Sequence, residues 1–149
     1  FVPSEAGSVL LDQPFERAAD PANPALYFIA TFGPSAEGLL GASIPAHEGV
    51  VGHVYKTGES HLLVDPHHDP FFYARFDETH EFRTRSLLAV PIRIENSVCG
   101  VIEMVNRRDG WPFDEHDKAL LEIFAAYTSV STLVPVPAGR HTAGAALTL

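Results

Sequence analysis

The sequence predicts an α+β domain built on a mainly antiparallel six-stranded sheet with flanking helices. Two observations carry this. Its candidate elements run strand, strand, strand, helix, strand, helix, strand, strand, helix, an order that suits helices set against an antiparallel sheet. The stretch Phe82 to Asn106 holds two apolar, β-branched strands, Leu87 to Ile94 and Val98 to Asn106, joined by the polar turn Glu95-Asn96-Ser97, as a core hairpin would be. At 149 residues, 46% hydrophobic and 19% charged, the chain is long enough to bury one core without disulfides or metal.

Taken in order, Gly7 to Leu11 is the first strand, ended by Asp12-Gln13-Pro14, and the segment to Pro24 is a loop. Ala25 to Phe32 (ALYFIATF) is a second strand, closed by Gly33-Pro34. Ser35 to Gly41 is expected as a turn, and Ala42 to Ile44 as a short strand stopped by Pro45. In Gly49 to Thr57, Val50, Val51, Val54 and Tyr55 fall at helical spacing, and Gly58 suits the helix end. His61 to Val64 is a short strand and Asp65 to Asp69 a loop. Asp69-Pro70 then suits a helix start, which predicts a helix from Pro70 carrying Phe71, Phe72, Tyr73 and Phe76. Arg107 to Pro112 is a loop, and Asp114 caps a longer helix with Asp117 three residues on, a weaker form of the capping box. Leu120, Phe124 and Tyr127 form its apolar stripe, widened by Leu121 and Ala125. The domain is expected over 1–131, with 132–149 as linker or tail.

Composition excludes several function classes. A net charge of −9 with only ten Lys plus Arg leaves no electrostatic footprint for nucleic acid or an anionic membrane, so an anionic ligand needs local donors. No run of about 18 apolar residues is present to span a bilayer. The start at Phe1-Val2-Pro3 lacks signal-peptide features and reads as a fragment of a longer protein. The single cysteine, Cys99, rules out an internal disulfide, suits a cytoplasmic setting, and falls mid-strand where a packed thiol is expected. Asp65, His67, His68 and Asp69 have metal-ligand types but no closed zinc spacing, and no metal site is expected there. No catalytic spacing stands out, so a non-enzyme is expected.

One residue breaks the strand pattern. Along Val98 to Asn106, Cys99, Val101, Glu103 and Val105 share a face, and Glu103 puts a carboxylate in an apolar row. Burying it costs free energy unless it is paired, so it sits at a wet edge, meets a cation, or faces a ligand cavity.

The run Ile44-Pro45, Glu48 to Val54, Thr57-Gly58-Glu59, Asp65, Asp69-Pro70, Phe82 to Ile92, Gly100-Val101 and Val105-Asn106-Arg107 resembles a GAF domain. The resemblance covers Ala6 to Ser131. It implies a six-stranded antiparallel sheet with helices on one face and a small-molecule pocket on the other, and an additional N-terminal helix without counterpart here. The pattern is most similar to the regulatory domains of cyclic-nucleotide phosphodiesterases and related adenylyl cyclases. Their signature, Asn-Lys, a gap, then Phe-x-x-x-Asp-Glu, stands here as Asn106-Arg107, Phe113 and Asp117, with Arg107 able to pair with Asp117 and with Lys118 in place of the final Glu.

Carried over by position, the resemblance places ligand contacts at Ser8, Val50, Val51, Asp77, His80, Thr84 and Glu103. Backbone N–H groups of Val50 and Val51, at a helix start, would suit a cyclic phosphate. Ser8 and Thr84 would hydrogen-bond phosphate or base, Asp77 the base edge, and Glu103 a ring or exocyclic N–H. His80 stands where the family often has a Thr. The implied function is a regulatory, sensory domain in signal transduction that binds cAMP or cGMP, forms a homodimer through its helices, and acts on an output domain. The alternatives are a dimerisation module with an empty or vestigial pocket, and a haem or iron redox or gas sensor.

Overall fold

A computed structural model describes residues 2–12, 22–72 and 82–133. Six strands, β1 (Ser4–Leu11), β2 (Ala25–Phe32), β3 (Ser43–Pro45), β4 (His61–Leu63), β5 (Leu87–Ile94) and β6 (Ser97–Arg107), form one sheet in the order β3-β2-β1-β6-β5-β4. Every neighbouring pair is antiparallel. The three-residue strands β3 and β4 take the edges, which leaves little unpaired backbone there for another chain to extend. Three helices complete the described fold: α1 (Ala36–Leu39), α2 (Gly49–Thr57) and α3 (Glu115–Leu133).

The alternation along β6 divides the core. Val101 and Val105 pack with Leu10, Leu26, Ala89 and the α2 residues Val50, Val51 and Val54. Ile102 and Met104 face the other way, against Val9, Leu88, Val90, Phe113 and the α3 residues Leu121 and Ala125. The sheet therefore carries α3 on one face and α2 on the other, rather than all helices on a single face.

The structure corrects three further sequence-based expectations. Ala36–Leu39 is a short helix inside the expected Ser35 to Gly41 turn. Pro70 to Phe72 is not helical: Asp69 Oδ1 accepts from Phe71 N at 2.9 Å and closes a turn, while Asp65 caps a 3-10 turn at Pro66–His68 through His67 N at 3.0 Å. The rest of the expected helix, through Phe76, lies outside the described residues. Helix α3 runs to Leu133.

The third concerns which side of α3 is buried. Leu121 and Ala125 are inward, whereas Leu120, Phe124 and Tyr127 are 36%, 37% and 72% exposed. The polar cap sets this rotation. Asp117 is buried because its Oδ2 accepts from Asp114 N at 3.0 Å and Arg107 Nη1 at 3.1 Å, and Leu121 and Ala125 follow it at intervals of four on the same face.

At the sheet end beside α2, Tyr55 Oη donates to Asp12 Oδ2 at 2.9 Å. Burial first, then the Asp12 hydrogen bond and charge, push the phenol up to about 12. The folded value lies above the unfolded one, so this contribution is complete below pH ~10 and is lost as pH rises towards 12. In a spectrophotometric titration, Tyr55 should give a late tyrosinate step that Tyr55→Phe removes.

Candidate functional site

The α2 face of the sheet holds a cavity of about 400 Å³, bounded by β1, β6, α1, β3, the start of α2, Phe72 and residues 82–87. Its walls are mostly apolar, with Phe28, Phe32, Leu39, Ile44, Phe72 and Phe82 among them. Ser8, Thr84 and Glu103 bring polar groups to the same space. Ser8 lies opposite Glu103 across the β1–β6 ladder, and Ala89 lies opposite Glu103 on β5. Two short side chains thus flank the carboxylate in its row, where larger residues would close the space over it.

Helix α2 presents its N-terminus to the cavity through Gly49, Val50 and Val51. Gly49 has φ +67°, a conformation glycine takes without strain, and lets the chain turn into the helix directly after Pro45-Ala46-His47-Glu48. The first intrahelical bond runs from Gly52 N to Glu48 O at 2.9 Å, so the N–H groups of Gly49, Val50 and Val51 precede it. A Cβ on Gly52 would lie 2.5 Å from the His47 carbonyl carbon, so glycine is required for the preceding loop to lie against the helix. Glu48 and Glu103 are the charged side chains among the described lining residues, and no cationic one is among them.

Thr84 is held by a network behind the cavity. Asn106, 1% exposed and at φ +54°, accepts at Oδ1 from Arg85 N (2.7 Å) and Ser86 N (3.2 Å). Its Nδ2 donates to Arg83 O (2.8 Å) and Glu5 Oε2 (3.0 Å). The Arg85 hydrogen bond, with Asn106 assisting, holds the Glu5 carboxyl below the usual carboxylate range. One residue later Arg107 reaches Asp117, and Phe113 is buried beneath α3. Lys118 pairs instead with Glu115 at 2.6 Å.

Of the residues named for ligand contact, Ser8, Val50, Val51, Thr84 and Glu103 line this one cavity. Asp77 and His80 lie outside the described residues. Sequence reasoning missed the aromatic walls Phe28, Phe32 and Phe82, and also Glu48. Strand alternation carried a signal for Phe28, which shares the Leu26 face. Elsewhere, Cys99 is half-buried with its thiol pushed up by burial, and Asp65 is engaged by His68 Nδ1 at 2.7 Å.

The model of the GAF domain family matches residues 4–131. A probable 3',5'-cyclic phosphodiesterase (pde-5) of Caenorhabditis elegans is 33% identical over 97 residues, 65% of this chain and 13% of that protein. A dual 3',5'-cyclic-AMP and -GMP phosphodiesterase 11A of Takifugu rubripes is 40% identical over 75 residues, 50% of this chain and 8% of that protein. The chain thus spans a small part of the curated relatives it matches. Among solved structures, the GAF domain of a phosphoenolpyruvate-protein phosphotransferase from Coxiella burnetii superposes with a TM-score of 0.70 at 18% identity, covering 87% of this chain and 71% of that one. A type II free methionine-R-sulfoxide reductase from Thermoplasma acidophilum gives 0.66 at 16%, covering 85% and 77%. These two likenesses show a shared fold. With the family model spanning nearly every described element, from β1 through most of α3, the chain belongs to the GAF domain family.

Proposed function

We propose that this domain is a non-catalytic regulatory module that binds a cyclic nucleotide, cAMP or cGMP, in the α2-face cavity. One observation supports this above the others: a single cavity contains both the start of α2 and the Glu103 carboxylate. The first offers backbone donors and the positive end of a helix dipole to a cyclic phosphate, and the second accepts from a base N–H. Ser8 and Thr84 bond phosphate or base between them, and the phenylalanine walls cover the ring faces. Asp77 and His80 complete the proposed contact set from the sequence. A volume of about 400 Å³ falls within the ~300–1,000 Å³ of small-molecule pockets. The similarity to two cyclic-nucleotide phosphodiesterases supports the ligand class. A thermal-shift panel of cAMP, cGMP, cyclic dinucleotides and common metabolites tests it. A ligand at 100 times its Kd should stabilise the fold by about 2.7 kcal/mol. No shift with either mononucleotide would move the reading to a dimerisation module with an empty pocket, and a visible absorption band in the purified protein to a haem or iron sensor.

The same reading places the domain in a cytoplasmic signalling protein, with 132–149 leading towards an output domain, and pairs two copies through α3. Leu120, Ile123, Phe124 and Tyr127 recur at heptad-like spacing on its outer face, and Ile123 is 68% exposed. No helix among the described residues is long and apolar enough to cross a membrane. Ile123→Glu is expected to raise the dimer dissociation constant at least tenfold in sedimentation equilibrium while the fold is kept. A chain that is monomeric before substitution at 100 μM would remove the dimer from the account.

A further inference from the structure

Outside the cavity, four side chains meet between α2, β4 and the segment that follows β4. His61 Nε2 lies 2.6 Å from Asp69 Oδ2, with the side chains only 19% and 10% exposed. The His53 ring stacks on Phe71, centroids 3.6 Å apart and planes within 12°. His61 stands edge-on to both rings, at 5.8 Å from His53 and 5.5 Å from Phe71. Asp69 serves twice, because its other oxygen accepts from Phe71 N at 2.9 Å. None of the four lines the cavity, yet the next residue, Phe72, does, and it packs on the apolar cluster of that face.

We propose that His53, His61, Asp69 and Phe71 form a clasp that positions Phe72 as part of the cavity wall, and that the clasp tightens as the pH falls from 8 to 5.5. An imidazole N–H at His61 is placed to donate to Asp69 Oδ2. Protonation adds the attraction between an imidazolium and the Asp69 carboxylate to that hydrogen bond. Protonation of His53 places a cation over the Phe71 face, a favourable arrangement. This interval is the one in which imidazoles gain their proton.

The surrounding charges favour the same direction. From the segment after β4, the group facing His61 is Asp69, and from α2 it is His53. From β5 the residue opposite His61 is the uncharged Ala89, and next in that row, on β6, stands Glu103. Asp65 is engaged by His68 on the exposed 3-10 turn. The Asp69 carboxylate, in contact with His61, offsets repulsion between the two histidines when both are charged. The clasp concerns the wall of the cavity and does not depend on which ligand fills it, so its test uses no nucleotide.

The test moves the only tryptophan. In a chain carrying Trp111→Phe and Phe72→Trp, the indole emission reports packing at position 72. It should shift to the blue between pH 8 and pH 5.5. Adding Asp69→Asn, which keeps the shape and the acceptor for Phe71 N, should move the emission to the red at pH 5.5 and remove the pH response. His61→Gln should do the same. An emission independent of pH in the parent, or a response that survives Asp69→Asn, would overturn the clasp. Aromatic NOEs between His53 and Phe71 in the unsubstituted chain follow the same packing without a reporter. They should strengthen on acidification and fall by at least half in Asp69→Asn, and intensities unchanged by pH and by that substitution would refute it.

Discussion

Replacing Asn106 with alanine is expected to destabilise the fold by about 4 kcal/mol, enough to unfold much of a domain whose total stability is of the usual ~5–15 kcal/mol. The substitution strips partners from Arg85 N, Ser86 N and Arg83 O at a position that is 1% exposed. Each buried group left unsatisfied costs about 1–3 kcal/mol, with Arg85 at the lower end because water can reach it in part. Alanine at φ +54° adds ~1 kcal/mol, since asparagine tolerates the left-handed region better. Urea denaturation should show the loss as a lower midpoint with the slope retained. Asn106→Asp keeps the acceptor for both N–H groups but turns a carboxylate towards Glu5 Oε2, 3.0 Å from the present Nδ2. It should fall between the two and recover on acidification, as protonation relieves the repulsion. An Asn106→Ala loss below ~1 kcal/mol would mean that the network does not hold the 83–86 run, and with it Thr84.

Glu103→Ala should weaken cyclic-nucleotide binding by about 2–3 kcal/mol, or roughly 30- to 150-fold, as befits a hydrogen bond to a charged acceptor in a largely apolar cavity. Glu103→Gln keeps the size and one acceptor oxygen but loses the charge, and should recover part of the loss. Competition against a fluorescent cyclic nucleotide measures both. The order alanine, glutamine, unsubstituted chain in rising affinity is the expected result, and equal affinities would exclude Glu103 from the contact set.

The strands were legible because their alternation and turn signals are local. The hairpin Leu87–Ile94 and Ser97–Arg107 is within one residue of the expected bounds, and the Gly49–Thr57 helix matches them. Other features depend on partners far along the chain. The rotation of α3 follows from Asp117 being drawn inward by Arg107, ten residues away, and a stripe of larger apolar residues gives no hint of it. Likewise Asp69 meets the sequence rule for a helix cap, but His61 holds its other oxygen and the chain turns instead. Glu103 announced itself as a carboxylate in an apolar row, whereas the aromatic walls of the cavity resembled ordinary core residues. Which apolar side chains line a space rather than fill it is a tertiary property with no sequence period.

Isothermal titration of cGMP and cAMP into the intact 149-residue chain, beside Glu103→Ala, tests the central claim most directly. Saturating heat for at least one nucleotide at one site per chain, lost or weakened at least 30-fold in Glu103→Ala, is the predicted result. No heat from either nucleotide with a cooperatively folded chain, or binding that Glu103→Ala leaves intact, would contradict the account.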